Sequence, residues 1–416
     1  MCPQGPILGP PPLRHRSVEA ATHEEDTLAG VRIAYGVHGY GRGHATRVLA
    51  LLPELAKRHE VRVFAGGDAF ELLARRFPAE RIPFLSFDYR DFRLSLASTI
   101  AANAGMAWDL FARGPFSRRL EERLLDLGPE VVVSDSEPLL LRAARRLGIP
   151  TVGLDHVGVI AHCRPRVPLR DRLQLAAQAA VYRLVVGPVE RAVVSSFYEA
   201  PPRRPGVRCV SPILRESVLG ATPFRGAHLL VYFNNGDRLY APHVESALRA
   251  LDCPVRVYGA GREGQDGNVF YAPIDEDRFV ADLAGCRAVF ATGGHQLISE
   301  ALHLGKPILV SPERSAEQRL NAFQVEALGV GVSVRHSQIS AAVVDEFLRR
   351  GDGYRAALAR LERRRAPPPL EVLEPVLREL AAERLSGVGS TAPATEDRGE
   401  FAKSSPERDR SSTGSG

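Results

Sequence analysis

A chain of 416 residues is long for one ordinary domain, and two domains are the natural expectation. Hydrophobic residues at 44% and charged residues at 25% are globular values, and no apolar run reaches the roughly 18 residues of a membrane span. The net charge of +5 is uneven, with 28 Lys and Arg against 18 Asp and Glu in residues 30–215, and 20 against 22 in residues 216–385.

The first 29 residues, rich in Pro and lacking the apolar centre of a signal peptide, read as a disordered extension. From residue 30, strand-like runs alternate with helical patterns. "VRIAYGV" leads into a glycine-rich turn and an amphipathic stretch from His44 to Arg58, then come "EVRVFAG" and the helical "DAFELLARRF". "PEVVVSD", "EPLLLRAARRLG" and "IPTVGLD" follow. Short β-branched runs bounded by Gly and Pro, with helices of 10–15 residues between them, describe a parallel sheet covered on both faces. The basic character of this half suits peripheral contact with an anionic membrane surface or an acidic acceptor. It equally suits arginines spread over solvated helix faces.

Near "VSPILRESVLGATPF" the alternation restarts, with "HLLVYFNNG", "YAPHVESALRAL", "CPVRVYG", "DRFVADLAGC", "RAVFATGG", "HQLISEALHLG", "KPILVSP" and "EQRLNAFQVEALG" in turn. Helical stretches end the ordered part, and residues 386–416 read as a disordered tail. Two doubly wound α/β units are therefore expected, over residues 30–215 and 216–385. Such sheets bind ligands at the carboxyl ends of their strands, and two facing units leave a cleft between them. Five scattered cysteines (Cys2, Cys163, Cys209, Cys253, Cys286) form no CxxC pair and no metal spacing, which points to a reduced, cytoplasmic protein.

The most informative stretch runs from Ala291 to Gly331. A strand ends at Ala291, Gly293 and Gly294 make the turn, and a helix opens at His295. Backbone N–H groups at a helix start attract phosphate oxygens, and glycine lets a phosphate come close. Glu300 lies further along the same helix, where a carboxylate suits paired ribose hydroxyls. Glu317 and Gln318 open the next helix with Asn321 one turn on, polar side chains that suit a sugar. Taken singly, a Gly-Gly turn is an ordinary tight loop.

In combination, Glu300, "GKPILVSP", the Glu317-Gln318 pair and Asn321-Ala322 resemble the donor region of GT-B glycosyltransferases, the fold of two facing Rossmann-like domains. The turn "GYGRGH" is similar to that of the peptidoglycan transferase MurG and its relatives, and "YGVHGYGRGHATR" resembles the start of a family of bacterial and archaeal glycosyltransferases. The resemblance spans residues 31–385. It implies a sugar transferred from a nucleoside diphosphate sugar, a UDP-sugar by the MurG-like turn or a dTDP-sugar, to a lipid-linked or small-molecule hydroxyl in cell-envelope or natural-product glycosylation. Neither a metal cofactor nor a nucleic-acid partner is expected.

The resemblance also distributes roles. Gly41, Arg42 and Gly43 would line the acceptor side, and His44 would be the base. An imidazole suits that task, its ordinary pKa being about 6.5. Asp135, ending "PEVVVSD", would orient it; as alternatives, Asp135 or Ser136 caps the following helix and His44 is a helix-start residue. Inversion at the anomeric carbon rests on His44 being the base. Asp155 and His156 are acceptor-side candidates or a second source of the base, unless they sit in an exposed loop. Asn234, in "NNGD", would meet the diphosphate and the loop at Ile274 the nucleobase. Arg42 and Arg262 are candidate cationic helpers. A nucleotide-sugar 2-epimerase on the same fold and a non-catalytic nucleotide-binding partner protein are the competing readings.

Overall fold

The computed structural model describes residues 30–39, 42–85, 89–90, 93–94, 103–233, 239–313, 315–361 and 366–387. Gly41, Asn234, most of both terminal extensions and the side chain of Arg42 lie outside the described residues.

Two seven-stranded sheets organise the chain. The first contains β1 (Arg32–Val37), β2 (Glu60–Ala65) and β3 (Ala79–Arg81). A two-stranded antiparallel pair, β4 (Tyr89–Arg90) and β5 (Arg93–Leu94), stands apart from it. The first sheet continues with β6 (Val131–Asp135), β7 (Thr151–Asp155), β8 (Arg191–Ser195) and β9 (Val207–Val210). Its order is β3-β2-β1-β6-β7-β8-β9, and every neighbouring pair is parallel.

The second sheet holds β10 (Leu229–Tyr232), β11 (Val255–Tyr258), β12 (Gly264–Asp266), β13 (Val269–Ala272), β14 (Ala288–Ala291), β15 (Ile308–Val310) and β16 (Gly331–Ser333). Its order is β12-β13-β11-β10-β14-β15-β16, parallel except where β12 meets β13.

Helices cover both faces, which is why β6, β7 and β14 are buried along their whole length and read in sequence as unbroken apolar runs. In each sheet the winding reverses beside the first strand, between β1 and β6 and between β10 and β14. Side chains leaving those carboxyl ends therefore have a crevice to enter.

The last helix, Pro369–Leu385, follows the second sheet in sequence but packs on the first. Leu373, Leu377 and Leu380 share a core with Ile33, Tyr35, Val133 and Leu154. The sequence grouped this helix with residues 216–385; its apolar face pairs instead with the side of the first sheet that also holds Leu52 and Leu55. No helix among the described residues is long and apolar enough to cross a membrane.

Candidate active site

Val37 pairs with Asp135 across β1 and β6, so the turn after β1 and the end of β6 leave the sheet side by side. His38 N donates to the Asp135 carbonyl at 3.1 Å. The helix Arg42–Ala56 then carries His44 over the carboxylate, with Nδ1 2.8 Å from Asp135 Oδ1. Asp135 is fully buried, and burial alone raises a carboxyl pKa. The Arg47 and His44 charges and their hydrogen bonds outweigh it and hold Asp135 down to about 2. Facing an ionised carboxylate, Nδ1 is the donor of the pair, and the Nε2 lone pair is left for a proton.

The backbone turns sharply beyond Asp135. Ser136 is left-handed (φ 56°), a conformation costly for a residue other than glycine, and its hydroxyl donates to Asp155 Oδ2 at 2.6 Å. The cap of the next helix, Pro138–Arg146, is Glu137, which accepts from Leu139 N and Leu140 N. The capping role left open for Asp135 or Ser136 thus falls to their neighbour, and Asp135 serves the imidazole. His38, buried and 5.3 Å from the His44 ring centroid, is pushed down to about 3 by burial and by His44, so it is neutral.

Asp155 and His156 end β7 in a buried setting, not in an exposed loop. Asp155 accepts from Ser136, from Tyr182 Oη at 2.7 Å and from Gly158 N at 2.6 Å, which braces the strand end. His156 reaches the second sheet. Its Nδ1 meets the Ser195 carbonyl at 2.8 Å and its Nε2 meets Asn321 Oδ1 at 3.1 Å. Its ring stacks on His295 with centroids 3.5 Å apart, and His295 stacks in turn on Phe197. Burial lowers the pKa of both imidazoles. The carboxyl ends of the two sheets therefore meet at this contact.

On the second sheet, Gly293 N donates to Gln318 Oε1 at 3.1 Å and Asn321 Nδ2 donates to the Gly293 carbonyl at 2.9 Å. Gln318 and Asn321 thus fix the glycine turn, and Glu317 Oε1 stands 3.9 Å from His156 Nε2. Gly294 is the N-cap of the helix His295–His303, which no side chain caps. Four buried polar atoms around this helix start and the end of β15 have no partner among the described residues: His295 Nδ1, Gln296 Oε1, Ser311 Oγ and Glu313 Oε1.

Glu300 is buried, but it already holds a partner that sequence reasoning missed. Arg215, from the segment joining the sheets, grips it with two prongs, Nε to Oε1 at 2.9 Å and Nη2 to Oε2 at 2.6 Å. Gln296 Nε2 adds a third bond, to Oε1 at 2.9 Å. One acceptor position on Oε2 remains. Ile274 is exposed, and Arg262 is tied to Glu245 at 2.8 Å, its guanidinium over the Tyr271 ring. Arg47 was also missed. It stands one turn after His44 on the same helix face, and nothing local separates it from a solvated arginine until Asp135 is placed beside it.

Residues 31–351 match the family described as glycosyl transferase family 1. The chain belongs to this family. A glycosyltransferase of Methanosarcina acetivorans, described only as uncharacterized, is 28% identical over 366 residues, or 80% of this chain and 94% of that protein. Among solved structures, Acinetobacter baumannii MurG superposes with a TM-score of 0.54 at 13% identity, over 83% of this chain and 99% of that one. LpCGTa in complex with UDP superposes with a TM-score of 0.58 at 16% identity, over 84% of this chain and 99% of that one. The glycosyltransferase has the GT-B fold, and its two sheets are the two Rossmann-like halves.

Proposed function

We propose that this glycosyltransferase moves a sugar from a UDP-sugar to an acceptor hydroxyl, with inversion and with His44 as the base. The observation that carries the donor assignment is the start of the His295–His303 helix, which no side chain caps and where His295 Nδ1 and Ser311 Oγ are buried without a partner among the described residues. His295 Nδ1 and Ser311 Oγ can donate there, and with the backbone N–H groups and dipole of the helix start they offer the chemistry that holds a diphosphate; Gln296 Oε1 and Glu313 Oε1 can only accept. Glu300 lies in that helix and keeps one acceptor position for a ribose hydroxyl. Glu317, beside Asn321 and His156, faces the place where the sugar would lie.

The acceptor hydroxyl would give its proton to His44 Nε2 as it attacks the anomeric carbon, while the C–O bond to the diphosphate breaks on the opposite face. Asp135 would hold the imidazole's orientation and stabilise the imidazolium that forms. The residues that touch the reacting atoms are thus drawn from both sheets, across the contact His156 makes with Asn321.

A thermal-shift series with UDP, dTDP, GDP and ADP tests the donor. UDP should raise the melting temperature most, since a ligand at 100 times its Kd stabilises by about 2.7 kcal/mol. A larger shift with dTDP would reassign the nucleobase, and no shift with any of the four would remove the nucleotide site.

A further inference from the structure

Arg47 is as fully engaged in the His44 cluster as Asp135, and the proposed reaction gives it no task. It is buried, and its guanidinium clasps Asp135 with two prongs, Nε to Oδ2 at 2.9 Å and Nη2 to Oδ1 at 2.6 Å. Oδ1 is the same oxygen that accepts His44 Nδ1, and Nη2 stands 3.0 Å from that nitrogen. One carboxylate therefore carries two roles: it closes a fork with Arg47 and it receives the imidazole.

The surroundings explain why the second role depends on the first. Asp135 sits at the end of β6 with no access to water. Tyr35 of β1 and Asp155 of β7 face the cluster, the first neutral and the second negative, and His38 is neutral. None of these favours a charged Asp135. Burial opposes its ionisation, and the cationic support comes from Arg47 and, when protonated, His44. A protonated Asp135 would no longer demand Nδ1–H, and the imidazole would lose the tautomer that leaves Nε2 open.

We propose that Arg47 is a positioning residue for the transfer: by clasping Asp135 it keeps that buried carboxylate ionised, so that Asp135 fixes His44 with Nε2 toward the acceptor. The proposal rests on His44 being the base. A fork suits the task better than a point charge, because two parallel bonds fix the carboxylate plane as well as its charge.

The test compares wild type, Arg47→Gln and Arg47→Lys by urea midpoint from pH 5 to pH 8, a readout that needs no substrate. In Arg47→Gln the folded protein should bind a proton on Asp135, so stability should be highest at pH 5 and fall as pH rises through the raised pKa. Wild type should show no such Asp135 contribution in that window, and Arg47→Lys should fall by less than Arg47→Gln. Adding Asp135→Asn should abolish the slope in Arg47→Gln. A slope in Arg47→Gln no steeper than in wild type would overturn the proposal. If Arg47→Gln does not fold, Arg47→Met decides, and a slope there no steeper than in wild type overturns it. UDP release from UDP-glucose over the same range then separates the two claims. Turnover in the Gln variant should be lost mainly at the acid end and recover toward pH 8. A stability slope without that change in rate would keep the Arg47 assignment and remove His44 as the base.

Discussion

Glu300 shows how a structure changes the meaning of a substitution. Its carboxylate closes a buried fork with Arg215, so Glu300→Ala leaves a guanidinium without its partner and should cost about 3 kcal/mol of stability, a value typical of broken buried pairs. Glu300→Gln keeps shape and volume and is the cleaner probe of binding. It should fold, yet lose about tenfold or more in UDP affinity, since a charge-assisted hydrogen bond is worth roughly 1.5–3 kcal/mol. Calorimetric titration with UDP checks this, and wild-type affinity in Glu300→Gln would take Glu300 out of the ribose site. Glu137 makes a prediction of opposite sign to that of a salt-bridged acid. Burial raises its carboxyl from 4.5 to about 7, so the folded state holds the proton more tightly than the unfolded one. Its contribution is present below pH 4.5 and is lost as pH rises to about 7. Glu137→Gln should flatten that part of the stability curve, and an unchanged slope would assign it to another group.

At the scale of elements, the turn between β14 and the His295–His303 helix leaves no room for a side chain. A Cβ on Gly293 would stand 2.6 Å from the Gln318 carbonyl and 2.7 Å from its Cβ, with no flexible side-chain end to give way. Gly293→Ala should push the Ala316–Ala327 helix outward, cost about 1–3 kcal/mol as overpacking does, and weaken UDP binding with it. A melting temperature and UDP affinity both equal to wild type would mean that the turn is looser than it stands here. The alternation of elements was legible in the sequence because buried parallel strands read as continuous apolar runs and their helices as amphipathic ones. His44, Asp135 and Glu300 were legible only through the family resemblance of their motifs. Arg47 and Arg215 were not, because each acquires its meaning from a residue 85 or more positions away. In a chain rich in surface arginine nothing local distinguishes them. The helix cap was misplaced by one or two residues for a local reason: a left-handed Ser136 moves the start of the helix past Asp135.

On the scale of the whole molecule, the Pro369–Leu385 helix crosses back from the second sheet to the first. Leu373, Leu377 and Leu380 of the last helix are fully buried against the first sheet, and burying a leucine is worth roughly 1.5–3 kcal/mol. Ending the chain after Pro368 should therefore expose the face around Tyr35 and Val133 and leave the first half unfolded or aggregated, although that helix lies far from His44 in sequence. Circular dichroism and size-exclusion chromatography would show it, and a monomer with a wild-type melting temperature would contradict it. The two halves also meet through Arg319 to Asp171 at 2.9 Å and Gln324 to the Arg166 carbonyl at 2.6 Å. With the His156–Asn321 contact, these bonds tie the two halves together at the carboxyl ends of their strands.

The central claim is that His44, oriented by Asp135, takes the proton of the acceptor in a sugar transfer. The measurement that tests it most directly is kcat for UDP release in wild type, His44→Ala, Asp135→Asn and the double variant, with UDP affinity measured alongside. His44→Ala should lower kcat by about 10² to 10⁴, the usual worth of a general base, with UDP affinity nearly unchanged. Asp135→Asn should slow turnover as well, and the double variant should be little worse than His44→Ala, because the two residues serve one function. Turnover near wild type in His44→Ala would contradict the account and return the search for the base to the cleft.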